Sequence, residues 1–184
     1  MKENKVLNKS IQNITKSNNL TLRDILRNTK EDKNACIVIL DELTDVHNVG
    51  AIIRSAVASG ANALVIGKHN QAPINDTVIR TSADTAHMIP VISMNINEAI
   101  RTMKENGYWI HGLFMSGENT LWKSDLTGKI GIVVGSESDG IHAMTMKLCD
   151  YGLSIPMEEG VESLNASVSA ALVLYERLRQ ISII

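Results

Sequence analysis

Three short segments of this 184-residue chain combine polar residues with glycine, and each one directly follows an apolar run. The first segment contains Asn48, Gly50 and Arg54. Asn48 by itself is most simply the residue that caps a helix. An arginine in the opening turns of that helix either extends along apolar surface to solvent or binds an anion at the helix start. The segment therefore supplies a candidate phosphate-binding cation.

The second segment has the sequence GSESDG and spans residues 135–140. Glycines at both ends permit a turn that brings main-chain amides close to a ligand. Glu137 would repel a diphosphate and the GxGxxG pattern is absent, so the usual dinucleotide-binding loop is excluded. A carboxylate at this place suits hydroxyl groups or a cationic partner. The alternative is an ordinary loop with an Asp-Gly turn.

The third segment, IPMEEGVESLN, spans residues 155–165 and precedes the last helical pattern of the chain. Pro156 fixes the chain as it leaves a predicted strand, and Gly160 lets it turn. Ser163 and Asn165 stand where the helix begins, so each side chain either caps the helix or faces a site. A capped core helix explains Asn165, but it does not explain why the whole loop is polar.

The elements that must position these segments alternate between strands and helices. Apolar runs predict strands at 36–40, 63–67, 88–92, 108–114, 129–135 and 151–156. Helical periodicity predicts helices at 48–59, 74–80, 96–106, 141–148 and 165–179. This alternation indicates an α/β fold with a mostly parallel sheet flanked by helices. Because such sheets bind ligands at the carboxyl ends of their strands, we expect the three polar segments to meet there.

The N-terminal part of the chain differs from the rest in composition. Residues 1–34 carry a charge balance of +4, whereas residues 35–184 carry −6. We predict a basic extension over 1–34, partly helical or disordered, with Thr21 capping a helix and Asp24 in its first turn. This extension either contacts phosphates or is a solvated, partly frayed helix. Residues 35–184 are predicted to form one domain.

Composition excludes several classes of protein. Apolar residues make up 44% of the chain, but no run of about 18 apolar residues occurs, so we expect no membrane span. The N-terminus lacks the apolar core of a secretory signal. Cys36 and Cys149 are predicted to be buried thiols in a reducing compartment. The histidines show no metal-ligand spacing, so no metal site is expected. A soluble, cytoplasmic protein is the expectation.

Taken together, the three segments resemble the signature motifs of the SpoU (TrmH) family of RNA ribose 2′-O-methyltransferases, within the SPOUT class. The first resembles the family's Asn-x-Gly-x-x-x-Arg element, and the second resembles its Gly-x-Glu-x-x-Gly turn. The third resembles its Ile-Pro-Met…Ser-Leu-Asn-x-Ser element. The resemblance extends from about Cys36 to Arg179, and the intervening sequence looks most like the ribosomal RNA guanosine methyltransferase branch.

The resemblance implies a SPOUT α/β fold with a C-terminal trefoil knot that holds S-adenosyl-L-methionine. It also implies an obligate homodimer with the site across the subunit interface, and structured RNA as substrate, ribosomal RNA in preference to transfer RNA. Carried over by position, the cofactor-binding residues are Gly135, Ile155, Leu164, Gly112, Leu113 and Met157. The residues assigned to catalysis are Arg54, Asn48, Glu137, Ser163 and Asn165.

The implied reaction is an in-line attack by a ribose 2′-oxygen on a sulfonium methyl group, which requires alignment of the two. Since a guanidinium is always protonated, Arg54 is expected to fix a phosphate and stabilise the developing alkoxide. The alternative is a non-catalytic RNA-binding or assembly factor that kept the fold. It is motivated by Ser138 and Glu159, which replace usual glycines of the family, and by the expectation that the chain lacks a separate RNA-binding domain.

Overall fold

The computed structural model describes residues 20–115, 119–136 and 138–182. Within these ranges seven strands form one sheet: β1 Cys36–Asp41, β2 Ala63–Ile66, β3 Val91–Ser93, β4 Trp109–Leu113, β5 Asn119–Thr120, β6 Ile130–Gly135 and β7 Tyr151–Ser154. Their order across the sheet is β3-β2-β1-β6-β4-β7-β5. Every pair of neighbours in this order is parallel, as the alternating pattern predicts.

Helices connect the strands and cover both faces of the sheet. They are α1 Leu22–Asn28, α2 Val46–Ala58, α3 Asp76–Thr81, α4 Ile96–Glu105, α5 Ala143–Met146 and α6 Ala166–Ser182. Two 3₁₀ turns, Thr85–Met88 and Leu121–Lys123, complete the connections. The predicted α/β class with a parallel sheet flanked by helices is confirmed.

The centre of the sheet is apolar except for Asp41, because helices cover it on both sides. All six residues of β1 and all six of β6 are buried, and the two strands pair in register from Cys36 with Ile130 to Asp41 with Gly135. Along β1, Val38 and Leu40 pack into the core beneath α2, α3 and α6. Ile37 and Ile39 point to the opposite face and pack beneath α1 and α4.

The N-terminal helix begins where the sequence predicts. Thr21 accepts a hydrogen bond from the Asp24 amide at 3.3 Å, and Asp24 accepts one from the Thr21 amide at 2.9 Å. This is a capping box. Leu22, Ile25 and Leu26 are buried in the core beneath α1 and α4. The predicted domain boundary at residue 34 stays a prediction, and residues 1–19 lie outside the described residues.

Several element boundaries differ from the predictions for local physical reasons. The strand predicted at 88–92 is displaced to Val91–Ser93, because Pro90 has no amide hydrogen to donate to a ladder. β5 contains only two residues, too few for a recognisable alternating pattern. Helix α2 begins at Val46 rather than at Asn48, and α6 continues to Ser182.

Candidate functional site

A cavity of about 380 Å³ opens at the carboxyl ends of β4, β6 and β7. Its wall is built by the residues that follow these strands and by the start of α6. The described lining residues are Leu113, Phe114, Met115, Val134, Gly135, Ser136, Ser138, Asp139, Gly140, Ile141, Met146, Leu153, Ile155, Met157, Ser163, Leu164, Ala166 and Ser169. The second and third polar segments of the sequence therefore meet at this edge of the sheet, as expected.

Five of the six residues predicted to bind a cofactor line this cavity, and the same is true of Ser163. The five are Leu113, Gly135, Ile155, Met157 and Leu164. Gly112 is different. It is packed against the Phe114 ring and the Cys149 sulfur, and a Cβ added to it would lie 2.8 Å and 2.9 Å from them. We therefore assign Gly112 to close packing behind the cavity wall.

The turn at residues 135–140 needs a glycine at each end for two separate reasons. A Cβ on Gly135 would lie only 2.1 Å from the carbonyl carbon of Gly140, so the two residues touch through their main chains. Gly140 itself has a φ of +68°, which favours glycine. Ser136 and Gly140 close the turn with two main-chain hydrogen bonds of 3.0 Å each. Glu137 lies outside the described residues, so its role stays a prediction.

Ser138, which replaces a usual family glycine, lies in this turn. Its hydroxyl donates to Oδ2 of Asp139 at 2.6 Å, and both residues line the cavity. Glu159, the other replacement, is exposed and lies outside the cavity lining. The neighbouring Gly160 turns the loop with a φ of +90°, as predicted. Neither replacement obstructs the cavity.

Asn165 joins the start of α6 to helix α2. Its Oδ1 accepts hydrogen bonds from the amides of Ser167 at 2.9 Å and Val168 at 3.3 Å, so it caps α6. Its Nδ2 donates to Oδ1 of Asn48 at 2.9 Å. The reading of Asn48 as a helix cap is wrong. Asp45 caps α2 by accepting from the His47 amide at 2.8 Å, and Asn48 lies in the first turn with only 6% of its surface exposed.

Arg54 lies on the exposed surface of α2, apart from the cavity. It follows Val46 by eight residues, which is more than two helical turns, so it does not reach over the helix N-terminus. The sequence predicts that Arg54 lies nearer to the start of the helix, because it predicts that the helix begins at Asn48. Arg54 instead flanks a shallow groove between α2 and α6, lined by Ala51, Ser55, Ser167, Val168, Ala171, Leu172 and Tyr175.

Some cavity residues were missed by sequence reasoning. Phe114 and Met115 directly follow β4, so the rule that ligands bind at the carboxyl ends of strands was sufficient to find them. Met146 lies on the short helix α5, where no sequence signal indicated a ligand contact. Ser136 and Ile141 flank the glycine turn and line the cavity with it.

The ionisable groups exclude cysteine chemistry at this site. Burial raises the pKa of the Cys149 thiol to about 12, and burial raises the pKa of Cys36 to about 11, so both thiols stay protonated at neutral pH. Cys36 is buried as predicted, whereas Cys149 is half-buried. Over the described ranges there is no cluster of three or more potential metal ligands. In the same ranges no helix is long and apolar enough to cross a bilayer.

The chain is similar to known proteins in its family pattern, its sequence and its fold. The model of the SpoU rRNA Methylase family matches residues 35–175. The 23S rRNA (guanosine-2'-O-)-methyltransferase RlmB of Xanthomonas campestris is 42% identical over 147 residues, which cover 79% of this chain and 59% of that protein. The RlmB of Neisseria meningitidis is 41% identical over 164 residues, covering 89% and 65%. The chain thus spans less than two thirds of the length of these relatives.

Solved structures of methyltransferases are also similar to this chain. The SpoU methyltransferase AviRb from Streptomyces viridochromogenes, in complex with the cofactor AdoMet, superposes with a TM-score of 0.75 at 29% identity. The match covers 82% of this chain and 59% of that one. A structure described as an RNA 2'-O ribose methyltransferase gives a TM-score of 0.74 at 30% identity, covering 82% and 58%. Since the family model spans most of the chain and the fold agrees, this protein belongs to the SpoU rRNA methylase family.

Proposed function

We propose that this protein transfers a methyl group from S-adenosyl-L-methionine to a ribose 2′-hydroxyl of structured RNA, with ribosomal RNA preferred to transfer RNA. The observation that carries the proposal is the chemistry of the cavity wall. Among the described lining residues, Asp139 is the only one that carries a charge, and all the others are apolar or neutral. A wall with a carboxylate and no lysine or arginine suits a cationic nucleoside and disfavours a diphosphate cofactor.

The residues present fit this cofactor. The cavity volume of about 380 Å³ lies within the usual range of small-molecule sites, roughly 300 to 1,000 Å³. Phe114 and Ile141 offer apolar surface to an adenine ring, and Asp139 offers an acceptor to hydroxyl or ammonium groups. We assign the main-chain groups of Gly135, Ile155 and Leu164 to the adenosine half. When bound, the cofactor supplies an already activated methyl group, so the chain must orient the two reactants.

Ser163 is the residue of the third segment that brings a hydroxyl group to the cavity wall, so we assign it to contact with the reacting ribose. Asn165 and Asn48 hold the start of α6 against α2, and we assign them to positioning of that hydroxyl. Arg54 would bind the phosphate next to the target ribose and stabilise negative charge on the 2′-oxygen. A guanidinium is protonated at every physiological pH, so it does not act as the base.

We further propose a homodimer in which each active site combines the cavity of one subunit with the Arg54 of its partner. The groove between α2 and α6 supports this assembly. Val168 and Tyr175 line it with 47% and 50% of their surface exposed, and Arg54 follows the groove residue Ala51 by three positions. A second copy packed on this groove would cover both apolar side chains and bring Arg54 to a neighbouring cavity. The trefoil knot is part of this proposal, and a ribosomal RNA substrate implies a cytoplasmic location.

The direct test is a titration of the purified chain with S-adenosyl-L-methionine by calorimetry, followed by a methyl-transfer assay on ribosomal and transfer RNA. We expect saturable cofactor binding and methylation of a ribose. Binding of both cofactor and RNA without any turnover would instead support the non-catalytic RNA-binding factor. No binding of S-adenosyl-L-methionine would contradict the proposed function.

A further inference from the structure

Two acidic residues at the end of β1 hold the far side of the glycine turn that forms one wall of the cavity. Asp41, the last residue of β1, pairs in register with Gly135, where the turn begins. Its carboxylate Oδ2 accepts a hydrogen bond at 2.9 Å from the main-chain amide of His142, two residues after the turn ends at Gly140. Asp41 therefore touches both ends of one short segment, although His142 is 101 residues away in sequence.

Burial makes this contact strong. Only 4% of the Asp41 surface is exposed, and a main-chain amide that donates to a buried carboxylate forms a charge-assisted hydrogen bond. Removal of the carboxylate would leave the His142 amide without this acceptor. The segment from 136 to 142 would then keep its internal bonds between Ser136 and Gly140 but lose a fixed attachment to the sheet.

Glu42 adds a second attachment through its side chain. Its Oε2 lies 3.2 Å from Nε2 of His142, and its Oε1 accepts from Nδ2 of Asn70 at 3.3 Å. Glu42 has a φ of +59°, a conformation that disfavours residues other than glycine. Gln71 holds the next residue in place, since its side-chain amide bonds both the amide and the carbonyl of Leu43. The contacts of Glu42 with His142 and Asn70, and those of Gln71 with Leu43, hold Glu42 in this unfavourable conformation.

The position of His142 matters because the cavity wall continues beyond it. His142 precedes helix α5, and its carbonyl accepts from the amide of Met146 at 2.8 Å. Asp139 and Gly140 line the cavity on one side of His142, and Met146 lines it on the other. A shift of His142 would move both parts of the wall.

We propose that Asp41 and Glu42 are positioning residues for the methyl-donor cavity, acting through His142 on the wall formed by residues 138–141 and by Met146. Neither residue lines the cavity, so neither is assigned contact with the cofactor. This inference rests on the proposed binding of S-adenosyl-L-methionine. It predicts that loss of either carboxylate weakens cofactor binding while binding of RNA at the Arg54 surface is unaffected.

The test compares Asp41→Ala, Asp41→Asn and Glu42→Gly by calorimetry with S-adenosyl-L-methionine and by the KM values for cofactor and RNA. We expect Asp41→Ala to raise the cofactor Kd and KM about tenfold or more, as for loss of a hydrogen bond to a charged group. Asp41→Asn retains an acceptor oxygen and should restore most of the affinity. Glu42→Gly relieves the positive φ, so its Tm should stay equal or rise while its cofactor Kd rises about two- to fivefold.

Asp150 provides a matched control at the opposite edge of the sheet. Its Oδ2 accepts from the Ile110 amide at 2.8 Å and its Oδ1 pairs with Lys104 at 2.6 Å, so Asp150→Ala removes a bond of the same kind, and an ion pair with it, at a residue that does not line the cavity. We expect this variant to lose stability and keep the wild-type cofactor Kd. A wild-type Kd in both Asp41→Ala and Glu42→Gly would overturn the proposal, as would an equal loss in Asp150→Ala. If Asp41→Ala does not fold, the cofactor Kd of Glu42→Gly alone tests the proposal. Absence of cofactor binding by the wild type would overturn the proposed function and this inference with it.

Discussion

Asn165 donates a hydrogen bond from Nδ2 to Oδ1 of Asn48 at 2.9 Å, and 117 residues separate the two positions. Asn165 caps α6, which follows the loop that lines the cavity. Asn48 lies in the first turn of α2, the helix that carries Arg54. The pair therefore couples the helix that bears the proposed RNA-binding cation to the segment that bears Ser163. We expect this link to affect both stability and methyl transfer.

A double-mutant cycle on Asn48→Ala and Asn165→Ala should show a coupling free energy of about 1 kcal/mol, as is typical of residues that share a hydrogen bond. Asn165→Ala alone should cost about 1 to 3 kcal/mol of unfolding free energy, because it removes the α6 cap and a hydrogen bond to the buried side chain of Asn48. Urea denaturation measures both quantities. Asn75→Ala is the control, since Asn75 caps α3 through the amides of Thr77 and Val78. Additive effects of the two substitutions would contradict the coupling.

Gly135→Ala should abolish cofactor binding, because the added Cβ would lie 2.1 Å from the Gly140 carbonyl carbon and displace the turn. Gly67→Ala is the matched control, since its Cβ would meet the nearest atom at 3.4 Å, an ordinary contact. Calorimetry with S-adenosyl-L-methionine, with circular dichroism to verify folding, distinguishes the two. A folded Gly135→Ala protein with wild-type affinity would show that the turn does not form the cofactor wall.

Arg54→Ala should nearly abolish methyl transfer and leave the unfolding free energy within about 0.5 kcal/mol of the wild type, because the residue is exposed. Arg54→Lys keeps the charge but not the bidentate geometry, so part of the activity should remain. Single-turnover assays on RNA and thermal denaturation measure the two properties. Full activity of Arg54→Ala would refute both the phosphate-binding and the charge-stabilising roles.

Tyr175→Glu should dissociate the proposed dimer, since it places a charge in the groove between α2 and α6. Methyl transfer should fall with the dimer, because each site is proposed to need Arg54 from the partner. Tyr151→Glu is the control: Tyr151 is also about half exposed, at 42%, and lies on β7 outside this groove. Sedimentation measures the assembly. A monomeric wild type with full activity would contradict the shared site.

Acid stability should depend on His111. Burial lowers the pKa of its imidazole from 6.5 to about 4. Between pH 6.5 and pH 4, His111 is therefore protonated in the unfolded chain and neutral in the folded chain. Stability is therefore fully present above about pH 6.5 and falls as the pH drops toward 4, by roughly 2 to 3 kcal/mol from this group. Unfolding free energies of the wild type and His111→Phe across this range test the effect. The variant should show a flatter pH dependence, and an unchanged slope would exclude His111 as the cause.

Much of the fold was predictable because its central strands are continuous apolar runs. The runs at 36–40 and 129–135 indicate buried parallel strands, which the structure has as Cys36–Asp41 and Ile130–Gly135. Their adjacency in the sheet was not predictable, since the pairing of Asp41 with Gly135 depends on contacts across the whole domain. The hydrogen bond between Asp41 and His142 could not be predicted from the sequence either, because neither residue belongs to a local sequence pattern.

The candidate site was predicted from motifs, and the motifs differ in what they reveal. Gly135, Ile155 and Leu164 lie at the cavity, where the resemblance assigned them. Gly112 does not line the cavity, and its predicted role in cofactor binding stays a prediction, since a glycine next to a ligand and a glycine under an aromatic ring look the same in sequence. Asn48 was read as a cap because sequence does not reveal that Asp45 occupies that role.

Everything proposed for this protein depends on a methyl donor held at the strand ends and directed at a sugar oxygen. The most direct measurement is a map of ribose methylation in ribosomal and transfer RNA from cells with the protein, without it, and with Arg54→Ala in its place. We predict one ribosomal 2′-O-methyl site that disappears on deletion, returns with the wild type and stays absent with Arg54→Ala. An unchanged ribose map on deletion, or a lost methyl group on a base instead of a ribose, would contradict the account.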